Sequence, residues 1–255
     1  MSDLYSHPRY YDLAFSFRDI GMEVDVFEEC FRKHSKIPVR RVLELACGPS
    51  PHLEELAKRG YEYVGLDINQ AMIDYAQRKA RALGIHPTFL LADMRSFSLE
   101  EPVDFVYTML GSLYVETTQD ILSHLSSVAK ALNPGGLYLL DACTNFQWNE
   151  GIKEQSWMIE KEGVKVDVKF ASEAIIDRVA QTCRNKVVAD VDDHGKVLHL
   201  GDIEVSRTIF PQEFLLLIEK ARRFEFIGWW NNWNMAEPIE VAKSIDRPIT
   251  LIRRL

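Results

Sequence analysis

Arg41-Val42-Leu43-Glu44-Leu45-Ala46-Cys47-Gly48-Pro49-Ser50-Pro51-His52-Leu53-Glu54-Glu55-Leu56 is the stretch on which the reading of this chain turns. Val42, Leu43 and Leu45 make the short apolar run of an inner parallel strand. The next five residues, 46–50, are small or turn-forming, so the backbone there can approach a ligand closely. Leu53, Leu56 and Ala57 then recur at helical spacing. A second strand over 61–66 ends on Asp67, where an open α/β sheet presents the carboxylate that takes ribose hydroxyls. Strand, tight turn, helix, strand and acid predict a nucleoside-binding βαβ unit.

Working outward, 69–83 reads as a helix with Met72, Ile73, Ala76 and Ala80 on one side and Gly84 as its cap. A short strand over 88–92 stops at Asp93-Met94, and another over 103–109 runs into Leu110-Gly111-Ser112-Leu113-Tyr114. Thr117 and Asp120 form a capping-box start for the next helix, which Asn133-Pro134-Gly135-Gly136 ends, and 137–140 is a fifth strand closing on Asp141. This alternation predicts an α/β fold with a doubly wound, mostly parallel sheet. Residues 156–170, 177–190 and 197–210 instead alternate apolar with polar, as long antiparallel strands do, with a turn at 192–196. Pro211 opens a last helix, and strands over 224–230 and 247–254 complete the sheet. The organisation expected is a helical arm over 1–36, a main domain over 37–144 and 209–255, and an antiparallel insertion over 145–208.

The formal net charge of -8 lacks the basic excess of a nucleic-acid-binding surface. Cys30, Cys47, Cys143 and Cys183 lie far apart, without metal-ligand spacing, which points away from a zinc site or disulfide framework and towards a reducing cytoplasm. No apolar run approaches the roughly 20 residues of a membrane span, and the start lacks a signal-peptide pattern. A small-molecule substrate, no nucleic acid, no membrane, no metal, and a monomer or homodimer are the resulting expectations.

The chain resembles the class I S-adenosylmethionine-dependent methyltransferases. The residues that carry the likeness are Val42 to Gly48, Asp67 at 19 positions beyond Gly48, Ala92-Asp93-Met94-Arg95 with Phe97, Asp104-Phe105-Val106, and Leu132-Asn133-Pro134-Gly135-Gly136-Leu137. Five motifs fall in order over about 40–141. The family pattern has glycine where this chain has Ala46 and Ser50. The resemblance implies a Rossmann-like, seven-stranded sheet and S-adenosylmethionine as cofactor, leaving S-adenosylhomocysteine as product. It also implies roles: Ala46, Cys47 and Gly48 beside the methionine part, Glu44 orienting that turn or the ammonium, and Asp67 on the ribose. Ile68 and Met72 would flank the adenine, Asp93 would take its amino group, and Met94 would stack nearby. Met109, Leu110 and Gly111 would floor the site, with Tyr10 added to the cofactor set. The insertion is similar to that of small-molecule N-methyltransferases, including aminosugar dimethyltransferases, where an inserted sheet covers the active site as a lid.

A nicotinamide dinucleotide is the competing cofactor. Its fingerprint needs glycine at positions 46 and 51, where Ala46 and Pro51 stand. Pyrophosphate also needs backbone N–H groups at the helix start, and Pro49 and Pro51 remove two.

A sulfonium methyl is already electrophilic, so the chain has chiefly to align the acceptor and exclude water. Tyr114 and Tyr11 are the candidates for substrate-facing positions. Tyr10, Glu116, His7 and His124 also fall near the expected cleft, yet none stands out as an obligate base, which favours an amine acceptor. Trp148, Trp157, Trp229, Trp230 and Trp233 offer either an aromatic pocket or core packing, and neighbours Trp229 and Trp230 must face opposite sides of a strand. The alternatives are a non-catalytic cofactor-binding scaffold, or methylation of RNA or protein.

Overall fold

The decisive stretch forms a strand, β1 (Arg41–Leu45), a turn, and a six-residue helix, α3 (Leu53–Lys58). The structure, a computed structural model, describes residues 3–147 and 154–255. After α3 come β2 (Glu62–Asp67), α4 (Gln70–Leu83), β3 (Thr88–Leu91), β4 (Val103–Thr108), α5 (Thr118–Ala131) and β5 (Leu132–Asp141). Asn69 caps α4 by accepting from the N–H groups of Ala71 and Met72, and Gly84 ends it in the left-handed conformation. Thr117 and Asp120 close the capping box of α5.

These strands and the last two, β10 (Phe224–Trp230) and β11 (Ile249–Arg254), form a seven-stranded sheet in the order β10-β11-β5-β4-β1-β2-β3. The pairs among β1 to β5 are parallel, and β11 runs antiparallel to both β5 and β10. The order reverses at β1 and β4, the switch point at which doubly wound sheets bind ligands. Gly136, in the irregular start of β5, is sterically obligatory, because an added Cβ would lie 2.5 Å from the Asp104 carbonyl oxygen. One apolar layer joins the sheet to α5 and to α6 (Pro211–Ala221), and the other joins it to α2 (Ile20–His34) and α3.

The N-terminal region is a short 3-10 turn, Leu4–Ser6, then α1 (Pro8–Ala14) and α2. The insertion is a four-stranded antiparallel sheet of β6 (Glu154–Lys161), β7 (Val164–Asp177), β8 (Thr182–Asp193) and β9 (Lys196–Arg207). The single strand expected over 156–170 is therefore two. Glu162 and Gly163 have φ of +52° and +76°, the two-residue hairpin geometry that reverses the chain within that run. Val164, Val166 and Val168 of β7 turn inward with Val187, Ala189 and Val191 of β8, and pack on Leu4, Tyr10 and Ala14 of the arm. Trp157 ties β6 to the arm by donating to the Ala14 carbonyl at 2.7 Å. At the root of the insertion, the Asn145 N–H reaches the Ile209 carbonyl at 2.8 Å. No helix among the described residues is long and apolar enough to cross a membrane.

Candidate active site

The turn after β1 is built around a carboxylate. Asp67, at the end of β2, accepts from the Gly48 N–H at 2.7 Å and from the Asn69 N–H at 2.8 Å, one bond to each oxygen. Each oxygen keeps a second lone pair for a ligand hydroxyl. Burial pushes the Asp67 carboxyl up, opposed by those same N–H groups. Gly48 has φ +51°, and a Cβ added there would meet only the Tyr11 ring at 3.9 Å, so the turn leaves open space in front of its backbone. Ala46 and Ser50 also sit in the left-handed region, at φ +51° and +53°.

Two adjoining cavities open on this turn, of about 420 and 330 Å³. Tyr11, Ala46, Gly48 and Ser112 wall both. The larger holds Glu44, Cys47, Met109 and Leu110, closed by arm residues such as Arg18 and by Lys161 of the insertion. The smaller holds Asp67, Ile68, Met72, Asp93 and Met94, and is closed by Tyr5, Tyr114 and Glu204. The inserted sheet thus contributes walls to both.

Most of the residues named from the sequence meet here, with differences. Asp93 is clamped by Arg95, whose Nε and Nη2 lie 2.9 and 2.6 Å from Oδ2, and the Arg95 hydrogen bond holds its carboxyl below the usual range. Gly111 lines neither cavity; its N–H donates to the Asp141 carbonyl at 2.9 Å, and Leu110 N–H to the Asp141 carboxylate at 2.8 Å, which shapes the turn after β4.

Tyr10 lies elsewhere. It is buried in the apolar layer between arm and insertion and donates to Asp193 at 2.8 Å. Successive residues of α1 point about 100° apart, and it is Tyr11 that faces the cavities. His7 and His124 are also outside. The latter is fully buried against the Met94 carbonyl and the Tyr138 hydroxyl. Trp229 packs on Phe146, Phe214 and Phe226, Trp230 on His34 across the sheet, and Trp233 on Phe27, so these are core residues. Trp148 lies outside the described residues.

Sequence reasoning missed the polar network beneath the turn. His52 is fully buried, with Nδ1 3.1 Å from Glu44 and Nε2 2.9 Å from Glu23. Carboxylates only accept, so both ring nitrogens must carry hydrogen and His52 is an imidazolium. Burial pulls its pKa down, but Glu44 and Glu23 outweigh that and raise it. Tyr63 and Tyr107 donate to the other Glu44 oxygen at 2.5 and 3.1 Å. Glu23 also takes Arg18 at 2.5 Å and Arg247 at 3.1 Å, and Arg247 reaches Asp141 at 2.6 Å. Burial pushes Glu23 up, yet His52 and Arg18 hold it down to about 2. Glu44, Glu23 and Asp141 therefore face His52, Arg18 and Arg247, three charges of each sign, and lock β1, β5, α2 and the loop before β11 around the site. His52 was visible in the motif, but its partner Glu23 lies 29 positions upstream and the Arg247 that completes the network lies near the far end of the chain, which no spacing reveals.

The match to known proteins follows the same geometry. Residues 42–136 match the methyltransferase-domain family. The dTDP-3-amino-3,4,6-trideoxy-alpha-D-glucopyranose N,N-dimethyltransferase of Streptomyces venezuelae is 26% identical over 215 residues, 81% of this chain and 84% of that one.

Residues 42–136 of the chain are an S-adenosylmethionine-dependent methyltransferase domain.

Solved structures of that kind share its fold. DesVI of Streptomyces venezuelae superposes with a TM-score of 0.76 at 20% identity, covering 98% of both chains. S-adenosylmethionine-bound CalS10, an amino pentose methyltransferase from Micromonospora echinaspora, gives 0.70 at 18%, covering 96% of both. This methyltransferase uses S-adenosylmethionine. The residues present fit that cofactor: a ribose-ready carboxylate and an open glycine turn, in which Pro49 and Pro51 carry no N–H for a phosphate.

Proposed function

We propose that this methyltransferase moves the methyl group to the nitrogen of a small molecule by direct in-line transfer in a lidded pocket. The observation that carries the reading is that Glu204 and the insertion's β9 wall the same cavity as Asp67 and Asp93, which leaves room for a small acceptor and not for a folded macromolecule. The relatives named as aminosugar and amino pentose methyltransferases support the same class.

In this reading Asp67 takes the ribose hydroxyls, Ile68 and Met72 enclose the adenine, and Asp93 with Met94 completes that end. The backbone of Ala46 to Gly48 passes the methionine part, over Met109 and Leu110, with Glu44 fixing the turn from below. Tyr11 and Tyr114 face the acceptor. When bound, S-adenosylmethionine supplies the electrophilic methyl. The chain's part is to exclude water and hold the acceptor in line, worth about 7–11 kcal/mol for good placement. Residues 1–36 serve as an arm, 37–144 with 209–255 as the catalytic domain, and 145–208 as the lid. We place the enzyme in the cytoplasm, as a monomer or homodimer.

The test is transfer of labelled methyl from S-adenosylmethionine to amines, to matched alcohols and phenols, and to total RNA and protein. Label in small amines supports the reading. Label confined to macromolecules or to hydroxyl acceptors overturns it.

A further inference from the structure

We propose that Glu204, on β9 of the insertion, is the residue that recognises the acceptor's nitrogen as a cation and receives the proton it sheds. The inference rests on the N-methylation reading above. Glu204 is held from both sides of the cleft: the Tyr5 hydroxyl of the arm and the Tyr114 hydroxyl beyond β4 both donate to it. A carboxylate has about four acceptor positions, so two remain after those bonds. Among the described residues none of its partners is a cation, and burial pushes its carboxyl up, against the two tyrosine hydroxyls. An ionised carboxylate enclosed without a counter-charge is costly, and a cationic ligand removes that cost.

The surroundings agree on the sign. The cavity carries four carboxylates, Asp67, Asp93, Glu116 and Glu204, against one guanidinium, Arg95, which is already spent on Asp93. The Tyr5 and Tyr11 rings, 5.5 Å apart between centroids, add aromatic faces that also attract cations. Asp67 and Asp93 are assigned to the nucleoside end, which leaves Glu204 as the half-buried carboxylate on the lid side.

The acceptor arrives as an ammonium ion paired with Glu204 and loses one proton to solvent to become nucleophilic. Its lone pair then bonds to the methyl carbon as the carbon–sulfur bond breaks, with both electrons going to sulfur. The nitrogen now carries a positive charge and one hydrogen too many. That proton passes to Glu204 and from there to water, leaving a neutral methylated amine and an ionised carboxylate.

The experiment uses the full chain and Glu204→Gln, which keeps the shape and removes the charge, with Glu204→Asp beside them. The probes are amino sugars, free and as thymidine diphosphate conjugates, each paired with its hydroxyl counterpart. With S-adenosylhomocysteine bound, amines should stabilise the wild type against heat and hydroxyl twins should not. Glu204→Gln should lose about thirty-fold or more in kcat/KM for amines, keep its S-adenosylhomocysteine affinity within about two-fold, and Glu204→Asp should recover part of the loss. A wild type without amine-selective stabilisation overturns the proposal. So does a Glu204→Gln enzyme that methylates amines normally, in which case the N-methylation reading stands. Equal loss of S-adenosylhomocysteine binding would instead make Glu204 a cofactor residue and also overturn it. Methylation of the hydroxyl twins alone removes both readings together.

Discussion

Asp67 and Gly48 are 19 positions apart and meet at 2.7 Å, carboxylate to backbone N–H. In the proposed reading the side chain that takes the ribose also holds the turn beside the methionine part, so that cofactor affinity and loop order would be joined in one group.

Asp67→Ala should remove both. The orphaned Gly48 and Asn69 N–H groups cost about 1–3 kcal/mol of stability, and loss of the two ribose bonds weakens S-adenosylhomocysteine binding by about 100-fold or more. Calorimetric titration with S-adenosylhomocysteine checks the second figure, and urea unfolding checks the first. A variant that binds as well as the wild type would sink the assignment.

Ala46 and Ser50 stand at φ +51° and +53°, where a Cβ costs about 1–2 kcal/mol. Both are positions at which the family pattern has glycine. Ala46→Gly should relieve that strain and lose part of the gain to unfolded-chain entropy, for a net stabilisation of about 0.5–1 kcal/mol. Thermal melting should show a rise of about 1–4 °C. A fall would mean that the alanine methyl packs usefully despite its backbone.

His52→Ala leaves Glu23 and Glu44 without the imidazolium between them. Removing one partner of a buried ionic cluster costs about 3–5 kcal/mol. Urea unfolding at pH 6 gives the number, and a loss under 1 kcal/mol would show that water replaces the ring.

The same network sets a pH window. The folded pKa of His52 lies above its ordinary 6.5, so its contribution is full below pH 6.5 and is lost as pH rises through the folded value. Glu23, held near 2 against an ordinary 4.5, contributes fully above pH 4.5 and loses that contribution as pH falls towards 2. Stability should therefore be highest between about pH 4.5 and 6.5 and decline on both sides. A melting series across pH 3–9 on wild type and His52→Ala tests this. The alkaline decline should be weaker in the variant.

Tyr10→Phe separates the arm–lid contact from the cofactor site. Losing the hydroxyl that donates to Asp193 at 2.8 Å should cost about 1 kcal/mol and leave S-adenosylhomocysteine affinity within about two-fold. A ten-fold loss of affinity would return Tyr10 to the cofactor set.

What could be read from the sequence was whatever local pattern fixes. The β1 turn, Asp67, the capping box at Thr117 and the alternation of the insertion all express short-range periodicity or turn chemistry, and each appears in the structure. The hairpin at Glu162-Gly163 left a weak signal, because alternation continues unbroken across it. Tyr10 and Tyr11 could not be told apart, since which face of a short helix is covered depends on a sheet about 150 positions downstream. Glu204 looked like one polar residue among many on an alternating strand. Only the packing of that strand against Tyr5 and Tyr114 gives it a setting. His52 was likewise hidden, being a partner of residues brought together by the whole sheet order.

The contact between the Asn145 N–H and the Ile209 carbonyl means that the chain leaves and re-enters the main sheet at nearly one point. An excursion with a closed stem can be lengthened, shortened or traded for another without moving the strands that hold the methyl donor. In the proposed reading the acceptor range can thus change while the main sheet is kept. Grafting residues 145–208 from a relative onto this sheet is the direct way to change what it methylates.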